Sequence, residues 1–148
     1  MESTEGVRKI ATILIVEPNR NQRLLLEEEL QYEGYRTLSA ATAREALARL
    51  TKERADLVLL DIHLPGMDGL ELIGRLIEID SRIPVVIYTG DSSFQENFRA
   101  WVADAYVLKS SKLEELVETI RQILARRRRP AEAPGFRLRK ERDFAPLA

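Results

Sequence analysis

The chain contains no cysteine among its 148 residues. Disulfides, thiolate nucleophiles and cysteine-based metal centres are therefore excluded. It has a single histidine, His63, and a lone imidazole cannot build a metal site. No stretch reaches the roughly 18 apolar residues that a transmembrane helix needs. The amino terminus, Met1-Glu2-Ser3-Thr4-Glu5-Gly6, lacks the basic-then-apolar pattern of a secretory signal. A cytoplasmic protein without a membrane anchor is expected. The loop Glu17-Pro18-Asn19-Arg20-Asn21-Gln22 has no glycine, so it is not the phosphate-cradling loop of a nucleotide-binding enzyme. An excess of charge of one sign is also lacking, with 23 basic and 24 acidic residues and a net charge of −1. That gives no broad electrostatic case for direct DNA binding.

Hydrophobic residues make up 45% and charged residues 32% of the chain, the composition of an ordinary soluble domain with a real core. Charge is unevenly placed. Residues 1–125 carry 15 basic and 21 acidic side chains, and residues 126–148 carry 8 and 3. Short apolar runs alternate with amphipathic segments. Strands are expected at 12–16, 35–40, 56–60, 84–88 and 105–108. Helices are expected at 19–33, 43–53, 68–79, 92–101 and 111–128. The last helix places Leu113, Leu116, Val117, Ile120, Ile123 and Leu124 at spacings of three and four, the stripe of a helix packed on a sheet. Five such units predict an α/β fold, a doubly wound (βα)5 with a five-stranded parallel sheet.

The chain divides into three parts: an amino-terminal extension over 1–10, the domain over 11–128, and a basic tail over 129–148. Arg126 to Arg129 suit the carboxyl end of a helix, and Pro130 stops it. The tail reads as flexible, with docking of Phe136, Leu138 or Phe144 on the body or on a partner as the other reading. Met1 and the short tail favour a complete protein over a cut piece of a larger kinase.

Four strand ends carry chemistry. Glu17 follows Ile13-Leu14-Ile15-Val16, and Asp61 follows Leu57-Val58-Leu59-Leu60. Thr89 follows Val85-Val86-Ile87-Tyr88, and Lys109 follows Tyr106-Val107-Leu108. Open α/β sheets place their sites at the carboxyl ends of strands. Acid, nucleophile, hydroxyl and ammonium suit the binding and transfer of a phosphoryl group.

Together with the block Asp61-Ile62-His63-Leu64-Pro65-Gly66-Met67-Asp68-Gly69, with Tyr88-Thr89-Gly90, and with Asp104-Ala105-Tyr106-Val107-Leu108-Lys109, these residues resemble a response-regulator receiver domain. That family is the flavodoxin-like phospho-acceptor of two-component signalling. The likeness covers about residues 11–128. It implies that Asp61 accepts a phosphoryl group from a phosphohistidine on a histidine kinase or a histidine phosphotransfer protein. It implies a Mg2+ ion held by Glu17, Asp61 and the backbone carbonyl of His63. Lys109 would contact the acyl phosphate, and Thr89 and Tyr106 would form the switch pair. Output would pass to a downstream protein through the face of helix 92–101, strand 105–108 and helix 111–128. A homodimer through that face is also implied. The chain is then no enzyme beyond catalysing its own phosphorylation and dephosphorylation.

Three departures stand against that pattern. The family carries two adjacent acids after the first strand, whereas this chain has Glu17-Pro18. One metal ligand is missing, so a weaker Mg2+ site is expected, with Asp91 as a partial substitute. Lys109 is followed by Ser110 where the family has proline. A cis bond before a non-proline residue costs about 2.5–4 kcal/mol, so a trans bond is expected. Trp101-Val102-Ala103 stands where a glycine commonly ends the fourth helix, and Val102 cannot adopt a left-handed conformation cheaply. The alternative is a pseudo-receiver, a binding module acting without phosphorylation. Tyr106 is as much a packing residue as a switch. His63 is expected to turn its ring to solvent, and Trp101 to pack.

Overall fold

The computed structural model describes residues 10–95 and 103–127. Five strands, β1 (Thr12–Val16), β2 (Arg36–Ala40), β3 (Leu57–Leu60), β4 (Val85–Thr89) and β5 (Ala105–Leu108), alternate with helices. Among the described residues these are α1 (Arg20–Tyr32), α2 (Ala43–Leu50), α3 (Gly69–Ile79) and α4 (Leu113–Arg127). The strands form one sheet in the order β2-β1-β3-β4-β5, and every pairing is parallel. The expected α/β architecture is thus observed.

The apolar runs are continuous because both faces of the sheet are covered, as parallel sheets require. Leu14, Val16, Val58, Leu60, Val85 and Ile87 point into the core shared with α2 and α3. Ile13, Ile15, Leu57, Leu59 and Val86 point to the opposite core, with Leu26 and Leu30 of α1 and Leu116, Ile120 and Ile123 of α4. Each of the first three helices begins at a side chain that supplies its missing hydrogen bond. Asn19 accepts from the Gln22 N–H at 2.9 Å, Thr42 from Glu45 at 3.1 Å, and Asp68 from Glu71 at 2.9 Å.

Boundaries differ from the sequence expectation by small amounts. Strand β4 extends one residue further, to Thr89, because Thr89 still pairs with Leu108. Helix α2 stops at Leu50, where the Thr51 hydroxyl donates to the Ala48 carbonyl and ends the turn. The helix expected over 92–101 falls mostly on residues 96–101, outside the described residues, as do Trp101 and Val102. Its described beginning is a turn in which the Gln95 N–H donates to the Ser92 carbonyl. The expected extension over 1–10 and the tail over 129–148 also lie outside, apart from Ile10. No described helix is long and apolar enough to cross a membrane.

Order and register position the strand ends. The connection from β1 runs outward to β2, and the chain then crosses back over β1 to β3 and on to β4 and β5, so the winding reverses between β1 and β3. Such a reversal opens a crevice at the carboxyl edge. Val16 pairs with Leu60, which sets Glu17 and Asp61 side by side one residue beyond the pair. The loop after β3 is held tightly against α3. The Gly69 N–H donates to the Ile62 carbonyl at 2.7 Å. A Cβ at Gly69 would lie 2.7 Å from Ile62 Cα and 3.0 Å from the Asp61 carbonyl oxygen. Both neighbours are backbone and cannot swing aside. Gly69→Ala is therefore expected to cost about 1–3 kcal/mol in chemical denaturation. An unchanged midpoint would show that helix α3 does not seat against the Asp61 loop.

Candidate functional site

Three side chains from three strand ends meet in one hydrogen-bonded cluster. Glu17 is 2% exposed and Asp61 is 8% exposed. The Lys109 ammonium donates to Asp61 Oδ2 at 2.8 Å and to Glu17 Oε1 at 2.9 Å. The second oxygen of each carboxylate is also occupied. Glu17 Oε2 accepts from the Asn19 N–H at 3.0 Å, and Asp61 Oδ1 accepts from the His63 N–H at 3.1 Å. Buried carboxylates are tolerated only when paired in this way. Backbone bonds lock their origins: the Glu17 N–H donates to Ala40, the Asp61 N–H to Val16, and the Lys109 N–H to Thr89.

Burial alone would lower the Lys109 pKa, but the hydrogen bonds and charges of Asp61 and Glu17 outweigh it and raise it above the ordinary value. The ammonium also lies 6.0 Å from the Tyr88 ring centre. With two carboxylates and one ammonium, the cluster keeps one net negative charge.

Thr89 is 1% exposed at the end of β4, and its hydroxyl accepts from the Asp91 N–H at 3.3 Å. Tyr106 is buried in the α2–α3 core, and its hydroxyl donates to the Asp91 carbonyl. Burial, then the nearby Asp91 carboxylate, raise the Tyr106 pKa above its ordinary value. Asp91 joins this second network rather than the first. Its Oδ1 accepts from the Ser93 N–H and hydroxyl, and its Oδ2 contacts His63 Nε2 at 2.7 Å. The bonds from Ser93, then from His63, hold its pKa down at about 2. The His63 side chain is 61% exposed, as expected, yet one ring nitrogen is engaged. The Lys109–Ser110 bond is trans, since no described peptide bond is cis.

The expected metal donors can be tested against this geometry. Among the described residues, no three His, Asp or Glu side chains are grouped as a metal cage. Two carboxylates, Glu17 and Asp61, do share one small volume. Mg2+ is commonly bound by one or two carboxylates plus water and phosphate oxygens, so this donor set fits such an ion. An ion would compete with Lys109 for Glu17 Oε1 and Asp61 Oδ2. Asp91 faces His63 and Ser93 instead of this pair.

Sequence reasoning missed Arg23. Its guanidinium donates to the Glu17 carbonyl at 2.8 Å and so braces the turn that carries Glu17 and Pro18. The signal for it was a basic residue near the start of α1, placed to reach back over the strand end. A groove of about 550 Å3 between Thr42, Arg44 and Pro65 to Met67 contains none of the clustered residues. The clustered carboxylates form a small cup apart from that groove.

The family model for the response regulator receiver domain matches residues 13–121. The chain belongs to that family. It is 39% identical over 114 residues to the Bacillus subtilis sporulation initiation phosphotransferase F, covering 76% of this chain and 92% of that protein. A CheY-like receiver domain from Methanospirillum hungatei superposes with a TM-score of 0.75 at 32% identity, over 80% of this chain and 96% of that one. The Thermotoga maritima response regulator TrrA, solved with Mg2+-BeF, gives a TM-score of 0.71 at 37% identity over 76% of this chain and 98% of that one. TrrA has also been solved in complex with the histidine kinase ThkA. Other relatives are longer: the chain spans half the length of the Bacillus subtilis transcriptional regulatory protein YkoG.

Lys109→Met strips two buried carboxylates of their shared donor. A loss of about 1.5–3 kcal/mol at neutral pH is expected in urea unfolding. The pH dependence comes from the raised pKa. The lysine contribution is complete below its ordinary value of 10.5 and disappears as pH rises through the higher folded value. The gap between wild type and variant should therefore close in strong alkali. A gap that widened there would contradict the bridge.

Proposed function

We propose that this chain is a phospho-acceptor receiver that takes a phosphoryl group from a phosphohistidine onto Asp61. The observation that carries the proposal is the Lys109 ammonium, 2.8 Å from Asp61 and 2.9 Å from Glu17. A carboxylate nucleophile needs a nearby cation to bear the charge of an incoming phosphoryl group. An Asp61 oxygen attacks phosphorus, and the P–N bond of the donor breaks. Its electron pair returns to the imidazole ring, which leaves as the donor's own histidine. Lys109 then follows the negative charge from the carboxylate to a phosphoryl oxygen. The Thr89 hydroxyl, at the neighbouring strand end, donates to another.

Glu17, Asp61 and the His63 carbonyl would hold Mg2+, and the ion when bound offsets the charge of the phosphoryl oxygens. Pro18 leaves the site one acid short, so affinity is low. Thr89 turning toward phosphate withdraws its hydroxyl from Asp91, and Asp91 also anchors Tyr106. That shared partner supports Thr89 and Tyr106 as the switch pair. Output passes by protein–protein contact through residues 92–101, β5 and α4, to a downstream protein or a second copy. The donor is a histidine kinase or phosphotransfer protein, which places the chain in the cytoplasm.

One observation favours a second reading, a pseudo-receiver. Every oxygen of Glu17 and Asp61 already accepts a hydrogen bond, and Pro18 offers no acid. The two readings part on simple measurements. Radiolabelled acetyl phosphate with Mg2+ should label the wild type and leave Asp61→Asn blank; label persisting in that variant would refute Asp61 as acceptor. Amide shifts of the Glu17–Asp61 region that ignore Mg2+ up to tens of millimolar would favour the pseudo-receiver. Pro18→Asp should tighten Mg2+ binding by about tenfold or more, because one further carboxylate adds at least about 1.4 kcal/mol.

A further inference from the structure

At the edge of the sheet away from the carboxylate cup, a groove of about 280 Å3 lies between the ends of α2 and α3. Its walls are apolar: Leu50, Ala55, Leu76, Ile79 and Ile83. Ile79 is 54% exposed, a large aliphatic surface left facing water at the groove. The rim carries Glu53, which pairs with Arg36 at 3.9 Å, together with Asp80 and Arg54.

The last described residue of α4 reaches the α3–β4 connection next to this groove with its side chain. The Arg127 guanidinium donates to the Arg82 carbonyl at 2.6 Å. Arg82 sits between Asp80 and Ile83 of the groove. Past Arg127 the sequence runs through Pro130 and a spacer, Ala131-Glu132-Ala133-Pro134-Gly135, to Phe136-Arg137-Leu138-Arg139. Residues 128–148 carry six basic and three acidic side chains. We propose that Phe136 and Leu138 of this segment dock, within the same molecule, into the groove between the ends of α2 and α3.

Reach and shape agree. Phe136 lies nine residues beyond Arg127, enough to span up to about 30 Å when extended. A flexible chain of that length spans roughly 16 Å on average. A short tether of this kind gives an effective concentration in the millimolar range. An apolar cavity of about 150 Å3 accepts a benzene ring, so this groove has room for the Phe136 ring. Side chains alternate sides along an extended segment. Phe136 and Leu138 therefore share one side, which enters the groove. Arg137 and Arg139 stay at the mouth, near the acids Glu53 and Asp80. Docking covers the exposed Ile79 and clips the end of α4 to the α3–β4 connection. The proposal is separate from phosphoryl transfer and stands or falls without it.

The test uses the full chain. Because the protein has no cysteine, Lys140→Cys gives one unique site for a nitroxide spin label. Amide signals of Ile79, Asp80 and Ile83 should broaden in the labelled protein at every protein concentration. That broadening should vanish with Phe136→Ala/Leu138→Ala, and also with Ile79→Glu, an exposed site whose substitution leaves the core intact. No broadening at the groove, or broadening on another face, overturns the proposal. A mixture of labelled protein without isotope and isotope-enriched protein without label separates the two sources of a tail. Broadening in that mixture equal to that of the doubly labelled chain would assign the groove to a second copy and overturn docking within one molecule.

Discussion

Two buried carboxylates on neighbouring strands repel each other, and the cluster exists only because one ammonium answers both. Glu17 and Asp61 are nearly sealed from water, where an unpaired charge is expensive to hold. Lys109 reaches them from a third strand end, across β4. The same contact offsets half of the pair's charge and bridges both carboxylates. A cation already aimed at Asp61 is aimed at whatever anion Asp61 acquires. One bridge thus serves both the stability of the fold's carboxyl edge and the chemistry proposed for it.

The sheet makes that bridge possible and limits how far it can change. Parallel pairing fixes Val16 beside Leu60 and Thr89 beside Leu108. A slip of one residue would turn every side chain of a strand to the other face. Both faces are packed with aliphatic residues, so register is held by two cores at once. Around this rigid edge the loops carry the adjustable parts. Asp91 is their hub, holding Ser93, His63 and the Tyr106 hydroxyl together while its N–H meets Thr89. Movement of Thr89 therefore has a direct physical route to Tyr106, through one residue that touches both.

Pro18 stands directly after Glu17, in a turn that neighbouring residues hold. Pro18 donates no hydrogen bond and brings no charge. Arg23 holds the turn from α1, and Asn19 both caps that helix and donates its N–H to Glu17. The turn is thus held by its neighbours, with no acid at position 18.

Much of this was legible in the linear chain. Apolar runs ending in Glu17, Asp61, Thr89 and Lys109 placed four functional groups at strand ends, and helix periodicity separated the strands. Those signals are local, because side-chain alternation and helix stripes depend on neighbours within a few residues. The trans bond before Ser110 was equally local, set by the cost of the other isomer. The partners were not legible. Asp91 was a plausible stand-in for the missing acid by proximity in sequence, and folding turned its carboxylate to His63, 28 residues away. Arg23 carried no motif at all. The sequence by itself determined which chemical groups reach the carboxyl edge of a parallel sheet. Only the tertiary structure decided which of them touch, because strand order, register and loop direction are set by long-range packing that no local pattern records.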